Sequence, residues 1–367
     1  MAAIRSFLRR EPVLMIAALA AIVSCFFVLP DRAYLGYMDY RTLSLLYCLM
    51  TVVAGLRQAG LFACLAHSLC ERVKSVRMIG LVMVLLCFFS AMLITNDVAL
   101  LTFVPFAVVL LGDGEHSRAL IRVVVLQTVA ANLGSMLTPV GNPQNLYLFS
   151  YYDLGFASFL RVTLPVWLLS LVLVSLACLA LPKTPLAPFL GEEPDLDAKA
   201  LRLHAALFLV CLLVVLRILN WPVMLGIVVV LLLFFDRKLL LRADFMLLLT
   251  FIAFFVFSGN LARIGAVDRL LRRALEGRVY LTSLLASQVI SNVPAALLLS
   301  GFTADARDLL LGVNIGGLGT TIASLASLIS MKLYAHSDHA ETGRYLAEFS
   351  LVNLALLLVL SLAQKLL

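Results

Sequence analysis

Residues 78–112 read MIGLVMVLLCFFSAMLITNDVALLTFVPFAVVLLG, and this stretch decides what kind of protein the chain is. About 17 apolar residues lead up to the polar triplet Thr95-Asn96-Asp97, and about 15 follow it before Gly112-Asp113-Gly114-Glu115. Crossing roughly 30 Å of hydrocarbon takes about 20 apolar residues in a helix. Each flank is long enough for a helical arm and short for a comfortable span. Non-helical backbone survives inside a bilayer only where protein or a water-filled cavity satisfies its N–H and C=O groups. The spacing therefore predicts a re-entrant hairpin with Thr95, Asn96 and Asp97 at its tip. Asp97 is the most telling of the three, because a carboxylate at mid-membrane costs at least about 2.5–3.5 kcal/mol. It is expected to serve a coupling cation or proton. The plainer alternative is a cap on the arm that follows, where the helix dipole favours an anion.

Composition supports the membrane reading. Of 367 residues, 63% are hydrophobic and 13% charged, with a mean hydropathy of +1.05. Soluble domains run to about 45–50% apolar and about 25% charged residues. Candidate spans lie near 12–30, 42–66, 158–181, 203–235 (two short spans around Asn220-Trp221-Pro222), 243–260, 279–302, 308–333 and 345–367. With the interrupted regions 78–112 and 121–150, they predict an all-α polytopic membrane protein of about 10–11 segments. The first reads as a retained helix rather than a cleaved signal. The net charge of +7 follows from basic loops, so nucleic acid is not implied. Arg5, Arg9 and Arg10 place the N-terminus in the cytoplasm of a cell-membrane protein. Lys183, Lys199, Arg202, Arg237, Lys238 and Arg242 are expected on the same side. The seven cysteines fall mostly in apolar spans without a CxxC pair and read as small reduced core residues. His336 and His339 sit in a polar loop. No HExxH, GxSxG or Walker motif occurs, so neither an enzyme, a resident cofactor nor ATP-driven transport is expected.

A second polar interruption runs from Asn132-Leu133-Gly134-Ser135-Met136-Leu137-Thr138-Pro139 through Val140-Gly141-Asn142-Pro143-Gln144-Asn145. Prolines 139 and 143 remove helical N–H donors and release carbonyls. Unwound carbonyls can hold a cation, and the N-terminus of a half-helix can face an anion. A surface loop is the alternative, but the stretch carries no charge. Gly141→Ala is expected to spare the fold and reduce flux. The polar stretch 182–200 then divides the chain into 1–40 (first helix and loop), 41–181 (first repeat), 182–200 (linker) and 201–367 (second repeat). Leu56-Arg57-Gln58-Ala59-Gly60, Thr95-Asn96 and Asn132 to Thr138 recur in order as Leu261 to Gly265, Ser291-Asn292 and Asn314 to Thr320. Thr320, Thr321, Ser324 and Ser327 supply hydroxyls in the second half, while Gly316, Gly317 and Gly319 also suit plain helix packing. An inverted repeat would put the basic arm 260–278 outside, against the charge rule. Its segment 261–275 has the apolar spacing of an amphipathic helix lying on the membrane surface.

The runs Thr95 to Pro105, Asn132 to Asn145 and Ser291-Asn292-Val293-Pro294-Ala295 resemble the citrate-transporter-like ion transporter superfamily. That superfamily includes divalent anion/sodium symporters, arsenite permeases and sodium/proton antiporters. The resemblance covers about residues 40–330. It implies two inverted repeats, each with a re-entrant hairpin and a broken helix, in a dimer that works by an elevator motion. Carried over, Thr95, Asn96 and Asp97 with Asn132, Gly134, Thr138, Pro139, Gly141 and Asn142 form one substrate and cation site, with sodium at Thr95, Asn96 and Asp97. Ser291 and Asn292 with Asn314, Gly316, Thr320 and Ser324 form its mate. Asp97 and Val293 stand where the carboxylate symporters carry threonine, which puts a second sodium site in doubt. The resulting expectation is a secondary transporter of a small anion, a di- or tricarboxylate or an inorganic oxyanion, coupled to sodium or protons. Arsenite or antimonite efflux and sodium/proton antiport are the alternatives within transport. A membrane scaffold is the alternative outside it.

Overall fold

The computed structural model describes residues 12–71, 73–112, 116–186 and 194–366. The expectations placed on Arg5, Arg9, Arg10, residues 113–115 and the middle of the linker lie outside the described residues. Among the described residues the fold is all-α, and six helices are long and apolar enough to cross a membrane, or seven if one bent pair counts as a span.

In order, α1 is Pro12–Phe27, α2 Tyr40–Gln58, α3 Leu61–Cys70, α4 Val76–Ile94, α5 Asn96–Leu111, α6 Ser117–Gly134 and α7 Pro143–Tyr151. Next come α8 Phe156–Cys178, α9 Ala198–Val215, α10 Trp221–Phe235, α11 Phe245–Arg263, α12 Gly265–Leu275 and α13 Val279–Ile290. The last four are α14 Asn292–Leu299, α15 Ala306–Ile315, α16 Leu325–Ala335 and α17 Thr342–Ala363. Polar caps start several of them: Asp39 accepts from the Thr42 N–H, Asp244 from Leu247 and Asn142 from Asn145.

Three expected spans are discontinuous, one without any sign in the sequence and two at its polar interruptions. The 42–66 span bends by 49° at Gly60, whose φ of +85° ends α2 in a conformation that glycine adopts without strain. The 279–302 span breaks at Ser291, and 308–333 breaks between Ile315 and Leu325. Helices α1, α5, α10, α13 and α16 are apolar but below spanning length. That is why length and composition support six or seven spans where the sequence suggested ten to eleven.

Helix α6 is the most enclosed span, 89% buried by its neighbours, against 22% for α17 at the periphery. It packs on α4, α5, α8, α16 and α17. Lipid tails are as apolar as leucine, so close approach and polar ties hold such helices together. A Cβ on Gly134 would fall 2.0 Å from the Phe88 carbonyl oxygen, so only glycine lets α6 meet α4 this closely. Thr128 on α6 donates to Ser330 on α16 (2.7 Å), which lies 3.2 Å from the Tyr345 hydroxyl on α17. Arg122 and Glu348 pair at 2.5 Å between α6 and α17.

Each half lends its post-break helix to the other. Helix α16 packs on α5 and α6, and α7 packs on α14 and α15. Asn260 near the end of α11 donates to Ser24 near the end of α1 (2.9 Å), and the two helices pack on each other, so they run the same way. Asp197 donates its N–H to the Ala59 carbonyl just before α3, and Leu186 to the Lys74 carbonyl just after it, which ties both described linker ends to the flanks of α3.

Candidate functional site

Two helix junctions have nearly the same geometry. Thr95 joins α4 to α5 with φ 71° and ψ 152°, and Ser291 joins α13 to α14 with φ 74° and ψ 155°. This is a region used almost only by glycine, and each such residue costs about 1–3 kcal/mol. Both are followed by asparagine. Asn96 donates its N–H to the Gly141 carbonyl (3.2 Å) and accepts the Asp97 N–H on its own Oδ1 (3.0 Å). Asn292 donates to the Ala323 carbonyl (2.9 Å) and accepts from Val293 (2.9 Å). Each strained tip is thus pinned to an unwound stretch in its own half, 138–142 or 316–324. The Ser291 hydroxyl adds a bond to the Ala323 carbonyl at 3.3 Å.

The unwound stretches then cross between halves. Asn132 Oδ1 accepts from Asn96 (3.1 Å) and from the Ser324 hydroxyl (2.9 Å). Asn314 Oδ1 accepts from Asn142 (3.1 Å), and Asn314 Nδ2 donates to Asn145 Oδ1 (2.7 Å). Asn142 also donates to the Ser135 hydroxyl (3.1 Å). The result is a buried net of amides and hydroxyls between the two tips. Two buried atoms near it lack partners, Asn132 Nδ2 and Asp97 Oδ1. Buried polar atoms are nearly always paired, so each of these two keeps an unused hydrogen-bonding group.

Asp97 does not cap α5. Thr95 makes no side-chain cap there, and it is Asn96 that takes the Asp97 N–H. Asp97 nonetheless stands in the first turn of α5, where the helix dipole favours an anion, and its Oδ1 is buried without a hydrogen bond. Asp97 lines a cavity of about 660 Å³ together with Thr95, Asn142, Arg57, Arg242 and Asp244. Ser291 and Asn292 do not line it, so the two tips meet through the amide net and not through open space.

Other expected site residues have mechanical surroundings. Thr138 donates its hydroxyl to the Met92 carbonyl, and its own carbonyl accepts from Asn145 at 3.2 Å. Pro139 is buried in the turn between them. A Cβ on Gly141 would fall 2.1 Å from the Ser135 carbonyl oxygen, so Gly141→Ala shifts backbone; the expectation that it spares the fold is corrected here. Gly134 and Gly316 are packing positions, the latter 3.0 Å at a Cβ from Leu284 and Ser287. Thr320 is exposed and tied to Gln288, away from the net. Asn145 was the residue overlooked; its signal was the N-P-Q-N spacing that puts it one turn after the Asn142 cap.

Among the described residues no cluster of three or more His, Cys, Asp or Glu could hold a metal ion. Any cation would rely on Asp97, amide oxygens and backbone carbonyls.

The model of the citrate transporter family CitMHS matches residues 1–309 of the chain. The chain belongs to the CitMHS citrate transporter family. As a CitMHS member it is a multi-pass membrane transporter and not an enzyme. It is 29% identical over 327 residues to a protein of Methanocaldococcus jannaschii described as an uncharacterized transporter, covering 88% of each chain. It is 30% identical over 321 residues to the inner membrane protein YbiR of Escherichia coli, covering 85% of this chain and 84% of that one. A silicon efflux transporter of Oryza sativa subsp. japonica is 32% identical over 154 residues, 41% of this chain and 31% of its own.

Proposed function

We propose that this CitMHS member is a secondary active transporter of a small anion, a carboxylate or an inorganic oxyanion, driven by a sodium or proton gradient. The observation that carries the reading is the convergence of helix ends. Helices α5 and α14 start at the two tips, and α7 and α16 start where the unwound stretches end. Four N-termini, each bearing partial positive charge, therefore gather around one uncharged amide net. Such ends bind anions without a fixed cation. The C-termini of α4, α6, α13 and α15 end in the same region and supply carbonyl dipoles suited to a cation.

The two halves, 41–181 and 201–367, act as inverted repeats, each with a re-entrant hairpin and a broken helix. What supports this is the matched tip geometry and the reciprocal exchange, Asn132 with Ser324 and Asn314 with Asn142. Thr95, Asn96 and Asp97 hold the coupling cation, with Asp97 as its only carboxylate. Val293 leaves the second tip without that group, so a single coupling site on the first half is proposed. The linker and the segment before α11 face the cytoplasm of a cell membrane. The parallel course of α1 and α11 then puts the start of α1 on the same side, as its basic residues would favour.

Uptake of labelled anions into proteoliposomes, with sodium and proton gradients imposed separately, tests the proposal. Accumulation that follows one gradient is expected. Tight reconstitution with no flux of any anion under either gradient would leave a scaffold as the better reading.

A further inference from the structure

The cavity at the first tip carries four charged side chains, and their placement has a meaning of its own. Asp97 sits at the strained tip, Arg57 in the last turn of α2, and Arg242 and Asp244 just ahead of α11. Arg57, Arg242 and Asp244 are exposed, so they form the rim, while the Asp97 oxygen Oδ1 is buried below. Arg242 donates to Gln58 Oε1 at 3.0 Å, which holds the segment before α11 against the end of α2 and sets both guanidinium groups on one rim. Arg57 reaches the Leu101 carbonyl at 3.4 Å. Neither arginine has an ion-pair partner among the described residues, although four other arginines pair within 3 Å. An arginine has five N–H donors in a planar fork, so each keeps most of them for something else. That fork matches a carboxylate or an oxyanion.

The charge balance then limits what fits. Two guanidinium groups and two carboxylates sum to zero. A sodium ion or proton held at Asp97 changes the sum to one positive charge. The cavity is large enough for bulky carboxylates, so charge and not size is the discriminating feature. A trianion would bring two negative charges beyond what the loaded cavity neutralises and would place them beside Asp244. Low-dielectric walls make such a mismatch costly.

We propose that Arg57 and Arg242 receive the anion at the mouth of this cavity, and that Asp97 and Asp244 restrict it to a singly charged carboxylate or oxyanion. This rests on the anion-transport reading and narrows it, since a family named for citrate would otherwise suggest a trianion. It also gives the order of binding: the cation at Asp97 comes first, because only then does the mouth hold a net positive charge.

The test is initial-rate uptake by the full chain in proteoliposomes, using labelled lactate, phosphate, succinate and citrate at neutral pH. Lactate, a monoanion at this pH, is expected to be carried with the highest kcat/KM, and phosphate, a mixture of mono- and dianion, with a lower one. Arg57→Gln and Arg242→Gln should each raise KM for the carried anion about three- to tenfold, as for a charge-assisted contact at a partly exposed rim, with kcat within about twofold. The rise should shrink at high salt. Asp244→Asn keeps a helix-capping side chain and should act in the opposite direction, lowering KM and improving succinate relative to lactate. A merely structural rim would not give effects of opposite sign. Unchanged KM in both arginine variants, or citrate carried better than lactate and phosphate by the wild type, overturns the inference while leaving anion transport standing. A wild type that carries none of the four probes overturns the anion reading itself.

Discussion

Removing one of the bonds that join the two halves at the site should cost stability in a way that is shared between its partners. Asn132 Oδ1 accepts two buried hydrogen bonds, from Asn96 and from Ser324. Asn132→Ala strands both donors, and each buried donor left unpaired costs about 1–3 kcal/mol. Loss of the already unpaired Nδ2 returns part of this, so the net cost should be about 2–4 kcal/mol. Ser324→Ala removes one donor and leaves Asn132 its bond to Asn96, for a cost of about 1 kcal/mol. Interhelical bonds in membrane proteins average about 0.6 kcal/mol in double-mutant cycles. The cycle of Asn132→Ala with Ser324→Ala should therefore show coupling of about 0.6–1.5 kcal/mol in equilibrium unfolding from mixed micelles. Independent sites add within about 0.3–0.5 kcal/mol. Additivity within that margin would mean that the halves do not meet through this bond.

Two other outcomes follow from single residues. Gly141→Ala should lower thermal stability and flux together, because its Cβ would meet the Ser135 carbonyl at 2.1 Å and displace the carbonyl that pins Asn96. A variant with wild-type Tm and wild-type flux would contradict that geometry. In the loop after α1, the hydrogen bond from Arg263 holds the Asp31 carboxyl below its ordinary range. A depressed carboxylate stabilises the fold above its unfolded pKa and loses that contribution as pH falls through the folded value. The Tm difference between wild type and Asp31→Asn, measured in detergent, should thus be full at neutral pH, begin to fall only near about pH 4, the ordinary aspartate value, and vanish once the pH has dropped through the lower folded value. A difference independent of pH would assign it to something other than this ion pair.

Much of the site was legible because a bilayer makes polar backbone conspicuous. Thr95-Asn96 and Ser291-Asn292 stood out as hydroxyl–asparagine pairs inside apolar runs, and both occupy the strained junctions. Asn132, Asn142, Asn314 and Ser324 likewise join the net. Composition cannot locate a break when both arms are apolar, which is why the span 42–66 reads as continuous, whereas Ser291-Asn292 and Asn314 to Thr320 mark the breaks in 279–302 and 308–333. Glycine is ambiguous for a related reason: Gly134 and Gly316 serve close helix contact, a role with the same sequence signature as an unwound turn. Thr320 had the right residue type, but it is exposed and its partner is the half-buried Gln288, outside the net. The rim formed by Arg57, Arg242 and Asp244 was not legible at all. Arg57 lies 185 positions before Arg242 and Asp244 follows two positions later, and only the packing of α2 beside the start of α11 brings the three together.

If Asp97 couples a cation to the anion, Asp97→Asn should uncouple the two. The substitution keeps the shape of the side chain and removes its charge, and Asp97 Oδ1 has no hydrogen bond to lose. Uptake would be measured in proteoliposomes at matched protein levels, against sodium concentration and pH, for wild type and variant. The account requires that the variant still exchange anion across the membrane while its dependence on the driving cation and its accumulation against a gradient collapse. Unchanged ion dependence with unchanged accumulation would contradict it and remove Asp97 from the mechanism.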